Sequence, residues 1–145
     1  MEKEVVRYNG CFVCGPNNPI GLNLKFLFDG AVCRTEFHPD DRHEGYKGIL
    51  HGGILAAILD EVMIKAALAL DVLCVTASME VRFKAPADIR STYSFTGQIL
   101  SHRGRVIETE GKAFDQDGTL VAEATGKYMT VSPQMKERLR QSLDS

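Results

Sequence analysis

The stretch His51-Gly52-Gly53-Ile54-Leu55-Ala56-Ala57-Ile58-Leu59-Asp60-Glu61-Val62-Met63-Ile64-Lys65-Ala66-Ala67-Leu68-Ala69-Leu70 decides how this chain folds. A continuous run this long, rich in Ala, Leu and Ile, suits a helix rather than a strand. It is apolar almost all round, so it should be buried on most sides. Two glycines at its start leave backbone N–H groups bare, and an N-terminus of that kind attracts developing negative charge. Asp60 and Glu61 then need an explanation, because carboxylates are rarely buried without a partner or a purpose. A polarising helix tip and a carboxylate base are the two components that acyl-transfer hydrolysis requires.

Outward from this helix the pattern is that of strands. Leu22 to Phe28 alternates apolar residues with others, Asp29-Gly30 signals a hairpin, and Ala31 to Phe37 reads as the partner strand. Pro39 to Gly48 is a polar loop. After the helix, Val75, Ala77, Met79, Val81 and Phe83 alternate with polar residues, and Pro86 ends the strand. Thr92 to Leu100, Arg105 to Phe114 and Thr119 to Val131 follow, punctuated by Gly104 and by Asp115-Gln116-Asp117-Gly118. Short connections imply antiparallel neighbours. The expected class is α+β, an antiparallel β-sheet wrapped around one long central α-helix. Residues 1–145 are expected to form one domain, with a Cys/Gly/Pro-rich extension over 1–21 and a polar tail over 132–145.

Composition excludes several classes. The net charge of −2 gives no global pull toward nucleic acid or an acidic membrane. The run from Ile54 to Leu70 is short for a membrane span and contains Asp60, Glu61 and Lys65. Met1 to Tyr8 is charged and unlike a signal peptide, so a cytoplasmic location is expected. Cysteines stand at 11, 14, 33 and 74. Cys11-x-x-Cys14 has the spacing of half a zinc knuckle, which Cys33, His38 and His43 could complete. That second group lacks ligand spacing, so reduced thiols in a tight turn are expected, with no metal and no cofactor.

Gly53 and Asp60 lie on about the same helix face, yet roughly 10 Å apart along the axis. A carbonyl held at the helix tip is out of reach of the Asp60 in the same chain. An antiparallel second copy of the helix would bring the other subunit's carboxylate to the tip, which predicts a two-fold homodimer with composite sites.

His51-Gly52-Gly53 through Asp60 resembles the signature of hotdog-fold acyl-CoA thioesterases of the phenylacetate-pathway (PaaI-like) type. Gly45-Tyr46-Lys47-Gly48-Ile49-Leu50 is similar to that family's approach loop, and Val75 to Phe83 and Asp117 to Ala122 to its later elements. Cys11-Phe12-Val13-Cys14-Gly15-Pro16 through Leu22 resembles an N-terminal extension of uncharacterised members. The resemblance implies a hotdog fold, a dimer or dimer of dimers, and hydrolysis of an acyl-CoA thioester. It implies that Gly52 donates its N–H to the thioester oxygen, that Asp60 is the catalytic carboxylate, and that Thr76 orients water or substrate. Where relatives carry Asn or Gln six residues before His51, Gly45 stands here, leaving the role to His43, Glu44 or a water.

His51, Gly53, Gly45, Glu44 and Tyr46 are therefore candidate substrate contacts, although a His at a helix entrance serves equally well as a cap. Arg103 and Arg105 at a strand junction, with Lys84, are a candidate clamp for the phosphates of coenzyme A. For Asp60 the competing reading is an ion pair across the dimer with Lys65 or an Arg. Glu61 projects about 100° away and reads as structural. Two other functions compete with hydrolysis: a non-catalytic acyl-CoA binder or sensor, and a hotdog dehydratase or hydratase. The second is opposed by Asp60 at this interval.

Overall fold

The computed structural model describes residues 2–143; Met1 and the last two residues of the tail lie outside it. Seven strands form one antiparallel sheet: β1 (Lys3–Glu4), β2 (Leu27–Phe28), β3 (Val32–Phe37), β4 (Cys74–Phe83), β5 (Tyr93–Arg103), β6 (Val106–Asp115) and β7 (Leu120–Thr130). Their order is β1-β2-β3-β5-β6-β7-β4, which leaves β4 on an edge. The central helix α1 (Gly52–Leu68) packs on β3 to β7. A short helix, α2 (Pro133–Arg140), lies in the polar tail. This is the expected α+β hotdog architecture.

Close packing of helix on sheet is set by small residues beneath α1. A Cβ on Gly97 would stand 2.5 Å from the Val62 carbonyl oxygen, so only glycine admits the helix backbone there. Around that contact, Leu59, Val62 and Met63 meet Phe95, Ile107 and Tyr128, all fully buried. Each such side chain contributes on the order of 1.5–3 kcal/mol by leaving water.

Two sequence expectations need correction. The strand Leu22 to Phe28 shrinks to Leu27–Phe28, because Asn23 takes a positive φ of 55° and the segment bonds to the N-terminal extension instead. There the Leu22 and Leu24 N–H groups donate to the carbonyls of Phe12 and Val13. In β4 a bulge between Thr76 and Ser78 breaks the alternation. Met79, Val81 and Phe83 oppose Gly126, Ala124 and Ala122 on the helix-facing side, but below the bulge it is Thr76, opposite Tyr128, that turns inward. Strict period-two reading places Thr76 on the outer face; the extra residue re-aims it.

Candidate active site

Asp60 sits on α1 above the β4–β7 ladder. Thr76 and Tyr128 are directly paired across that ladder, and both hydroxyls converge on one oxygen of the carboxylate. Tyr128 donates to Asp60 Oδ1 at 2.7 Å and Thr76 Oγ1 donates to the same oxygen at 2.9 Å. The Asp60 side-chain oxygen Oδ2 has no hydrogen-bond partner among the described residues, so the carboxylate is anchored through one oxygen and free through the other. Burial, the charge of Asp60 and the hydrogen bond to it all raise the Tyr128 phenol above its ordinary range, so it remains a donor. Tyr128 was not legible as a site residue: it looks like one more apolar position in an alternating strand.

Within one chain Asp60 makes no ion pair with Lys65 or an Arg among the described residues. Lys65 turns instead to Glu61, with Nζ 3.6 Å from Oε2, and donates to the Val6 carbonyl at 2.5 Å. Burial pushes the Glu61 carboxyl up to about 7. Glu61 thus faces Lys65 and Cys11 rather than the Thr76 and Tyr128 hydroxyls that hold Asp60.

At the helix tip the structure divides the two glycines. His51 is the N-cap, and its Nδ1 accepts from the Gly53 N–H at 2.8 Å. Gly53 is therefore not a bare donor, which corrects the reading of both N–H groups as available. A Cβ on Gly53 would lie 2.9 Å from that nitrogen, so the missing side chain serves the cap. The Gly52 N–H, first of the helix, has no acceptor among the described residues. Glu44, Gly45, Tyr46, Ile49, Leu50 and His51 border a recess of about 570 Å³ at Gly52. In this rim Glu44 accepts from the Gly48 N–H at 3.0 Å, which makes it a loop-holding residue. Tyr46 is 84 % exposed. A Cβ on Gly45 would meet His51 Cδ2 at 3.3 Å, so a side chain there would press the capping imidazole by a few tenths of an ångström.

The phosphate-clamp candidates separate within one chain. Lys84 borders a smaller recess of about 330 Å³ beside Gly52 and Phe83, and pairs with Glu123 at 3.3 Å. Arg103 and Arg105 flank the β5–β6 turn, where Arg105 donates to the Thr130 carbonyl at 3.3 Å. Thr130 opposes Cys74, whereas Phe83, next to Lys84, opposes Ala122, so the two groups occupy opposite ends of the ladder.

Below Thr76 a cavity of about 380 Å³ runs along α1 to the N-terminal extension, bordered by Leu68, Val72, Glu61, Tyr8 and Cys11 among others. Cys11 and Cys14 meet there, and their donor atoms lie with that of Glu61 within 4.8 Å of one another. The grouping differs from the one the sequence suggested. Cys33 is buried in β3, and His43 Nδ1 accepts from the Asp40 N–H.

Residues 47–122 match the thioesterase superfamily, so this chain belongs to that superfamily. An uncharacterized protein of Schizosaccharomyces pombe is 31 % identical over 107 residues, covering 66 % of this chain; the chain spans only 58 % of that relative's length. Among solved structures, a thioesterase superfamily protein superposes with a TM-score of 0.79 at 23 % identity, covering 89 % of this chain and 67 % of the other. The E. coli PaaI protein from the phenylacetic acid degradation operon gives 0.71 at 17 % identity, covering 77 % and 81 %. A Streptococcus mutans protein bound to acetyl-CoA gives 0.68 at 17 % identity, covering 76 % and 90 %.

Proposed function

We propose that this protein hydrolyses acyl-CoA thioesters as a two-fold homodimer in the cytoplasm. The observation that carries the reading is the anchoring of Asp60 by the Tyr128 and Thr76 hydroxyls through one oxygen, with Oδ2 left to react. In this reading the thioester carbonyl lies against the Gly52 N–H, and Asp60 of the partner subunit reaches it across the interface. Oδ2 takes a proton from water, the resulting hydroxide adds to the carbonyl, and the oxyanion forms against Gly52. Collapse expels the coenzyme A thiolate, which leaves with the proton. A thioester carbonyl is little stabilised by resonance, so one N–H donor and a base are enough and no metal or cofactor is called for. The acetyl-CoA bound by the S. mutans protein supports the ligand class.

The edge position of β4 supports the dimer. Its outer edge lacks a strand partner among the described residues, and Val75 and Phe83, near its two ends and on opposite faces, are both exposed. One observation favours a second reading, a non-catalytic acyl-CoA binder: Gly45 supplies no amide beside the recess.

Release of free thiol from a panel of aliphatic and aryl acyl-CoA thioesters separates the two. Hydrolysis is expected, and Asp60→Asn should lower kcat by about 10²–10⁴ while ligand binding persists. Tight binding without thiol release from any thioester would establish the binder. Turnover surviving in Asp60→Asn would remove the carboxylate from the mechanism.

A further inference from the structure

The Cys11–Cys14 pair is not needed for thioester hydrolysis, yet it is built with care. Gly15 closes the turn so tightly that a Cβ there would stand 2.5 Å from the Cys11 backbone. The Cys14 N–H donates to Cys11 Sγ at 3.4 Å, and Cys11 Sγ lies 3.7 Å from Glu61 Oε2. Cys14 is wholly buried, whereas Cys11 is partly exposed and borders the 380 Å³ cavity. Beneath them Lys65, itself buried, holds Glu61 and faces the Tyr8 ring at 5.1 Å.

We propose that Cys11 and Cys14 form a thiol–disulfide exchange site, opening on this cavity, that reacts with low-molecular-weight disulfides. Exposure divides the roles: Cys11 is the attacking sulfur and Cys14, reachable only from Cys11, is the resolving one. Glu61 takes the Cys11 proton. The Cys11 thiolate attacks one sulfur of the incoming disulfide, whose S–S bond breaks, and the departing thiolate leaves with that proton. The Cys14 proton then passes to Glu61, Cys14 attacks Cys11 Sγ, and the second thiol leaves protonated. One external disulfide is reduced to two thiols, and the cysteine pair is oxidised to a disulfide.

The electrostatics agree with this division. Hydrogen bonding from Cys14, from backbone N–H groups and the nearby Lys65 ammonium hold the Cys11 thiol far below its usual range, down to about 5, against the opposing effect of burial. Cys14 moves the other way, because it shares its proton with Cys11 and is buried. The same three donors could be read as a metal site. The fixed ammonium of Lys65 already supplies the positive charge beside Glu61, which sets a second cation there at a disadvantage.

The test uses the full chain, reduced and then exposed to excess oxidised glutathione, with intact mass and peptide mapping as readouts. The wild type should lose two hydrogens and yield a Cys11–Cys14 linkage, with Cys33 and Cys74 still free. Cys14→Ser should stop at a glutathionyl adduct on Cys11, and Cys11→Ser should acquire none. Glu61→Gln should slow closure of the mixed disulfide about tenfold or more, as loss of a general base does. The proposal is overturned if the folded wild type stays reduced, if Cys11→Ser gains the adduct as readily as Cys14→Ser, or if zinc copurifies at one per chain and must be chelated before any thiol reacts.

Discussion

Asp60 is held by two hydroxyls from two different strands, and each should have a separable effect. Tyr128→Phe removes one donor from Oδ1 and leaves Thr76 in place. The variant should fold, lose about 1 kcal/mol of stability, and lose roughly tenfold in kcat, since a hydrogen bond to a charged group is worth about 1.5–3 kcal/mol. KM should scarcely change, because the phenol touches the carboxylate and not the substrate. Thermal melts and steady-state kinetics check both parts, and an unchanged kcat would make Tyr128 a packing residue only. The helix carboxylate and the glycine-bared tip were legible in the sequence because both break local rules: charge in an apolar run, and glycine where a helix begins. Tyr128 breaks none. Its role depends on a register between strands about fifty residues apart, which no local pattern carries.

The elements show the same division between local and long-range information. Helix α1, the β5–β6 turn at Gly104 and the β6–β7 turn at Gly118 lie where periodicity and turn chemistry put them, and both glycines take positive φ. The bulge that aims Thr76 at Asp60 has no sequence signal, since Thr-Ala-Ser reads as ordinary alternation. Nor did the sequence show that Leu22 to Leu24 would bond to the extension, because that pairing answers a demand made by distant backbone. How closely α1 approaches the sheet is likewise a tertiary property, and it gives a sharp expectation. In Gly97→Ala the new methyl group falls 2.5 Å from the Val62 carbonyl oxygen, a backbone atom that cannot swing aside. The helix must lift, at a cost of about 1–3 kcal/mol. Urea unfolding of Gly97→Ala measures it, and the wild-type midpoint in that variant would mean the helix–sheet spacing is slack.

At the scale of the whole molecule the question is which subunit supplies which half of a site. Gly52 and Asp60 are eight residues apart on one helix, about 12 Å along its axis, so one copy of α1 cannot present both to a single carbonyl. Gly52→Pro removes the donor, its Cβ standing 3.3 Å from the exposed Phe83 ring, which must shift by a few tenths of an ångström. Proline is tolerated at the first helical position, it lacks the N–H in question, and His51 before it already has the extended backbone that proline demands, with φ −62° and ψ 130°. Gly52→Pro and Asp60→Asn should each be nearly inactive alone. When the two are unfolded together and refolded, half of the dimers formed at random are mixed. In a mixed dimer one composite site carries both lesions and the other carries neither, so activity should return to about a quarter of wild type. A site built within one subunit permits no such rescue, because every copy would then carry its own lesion. Failure of the mixture to exceed the two parents, with mixed dimers present by mass, would place both halves of the site on the same chain.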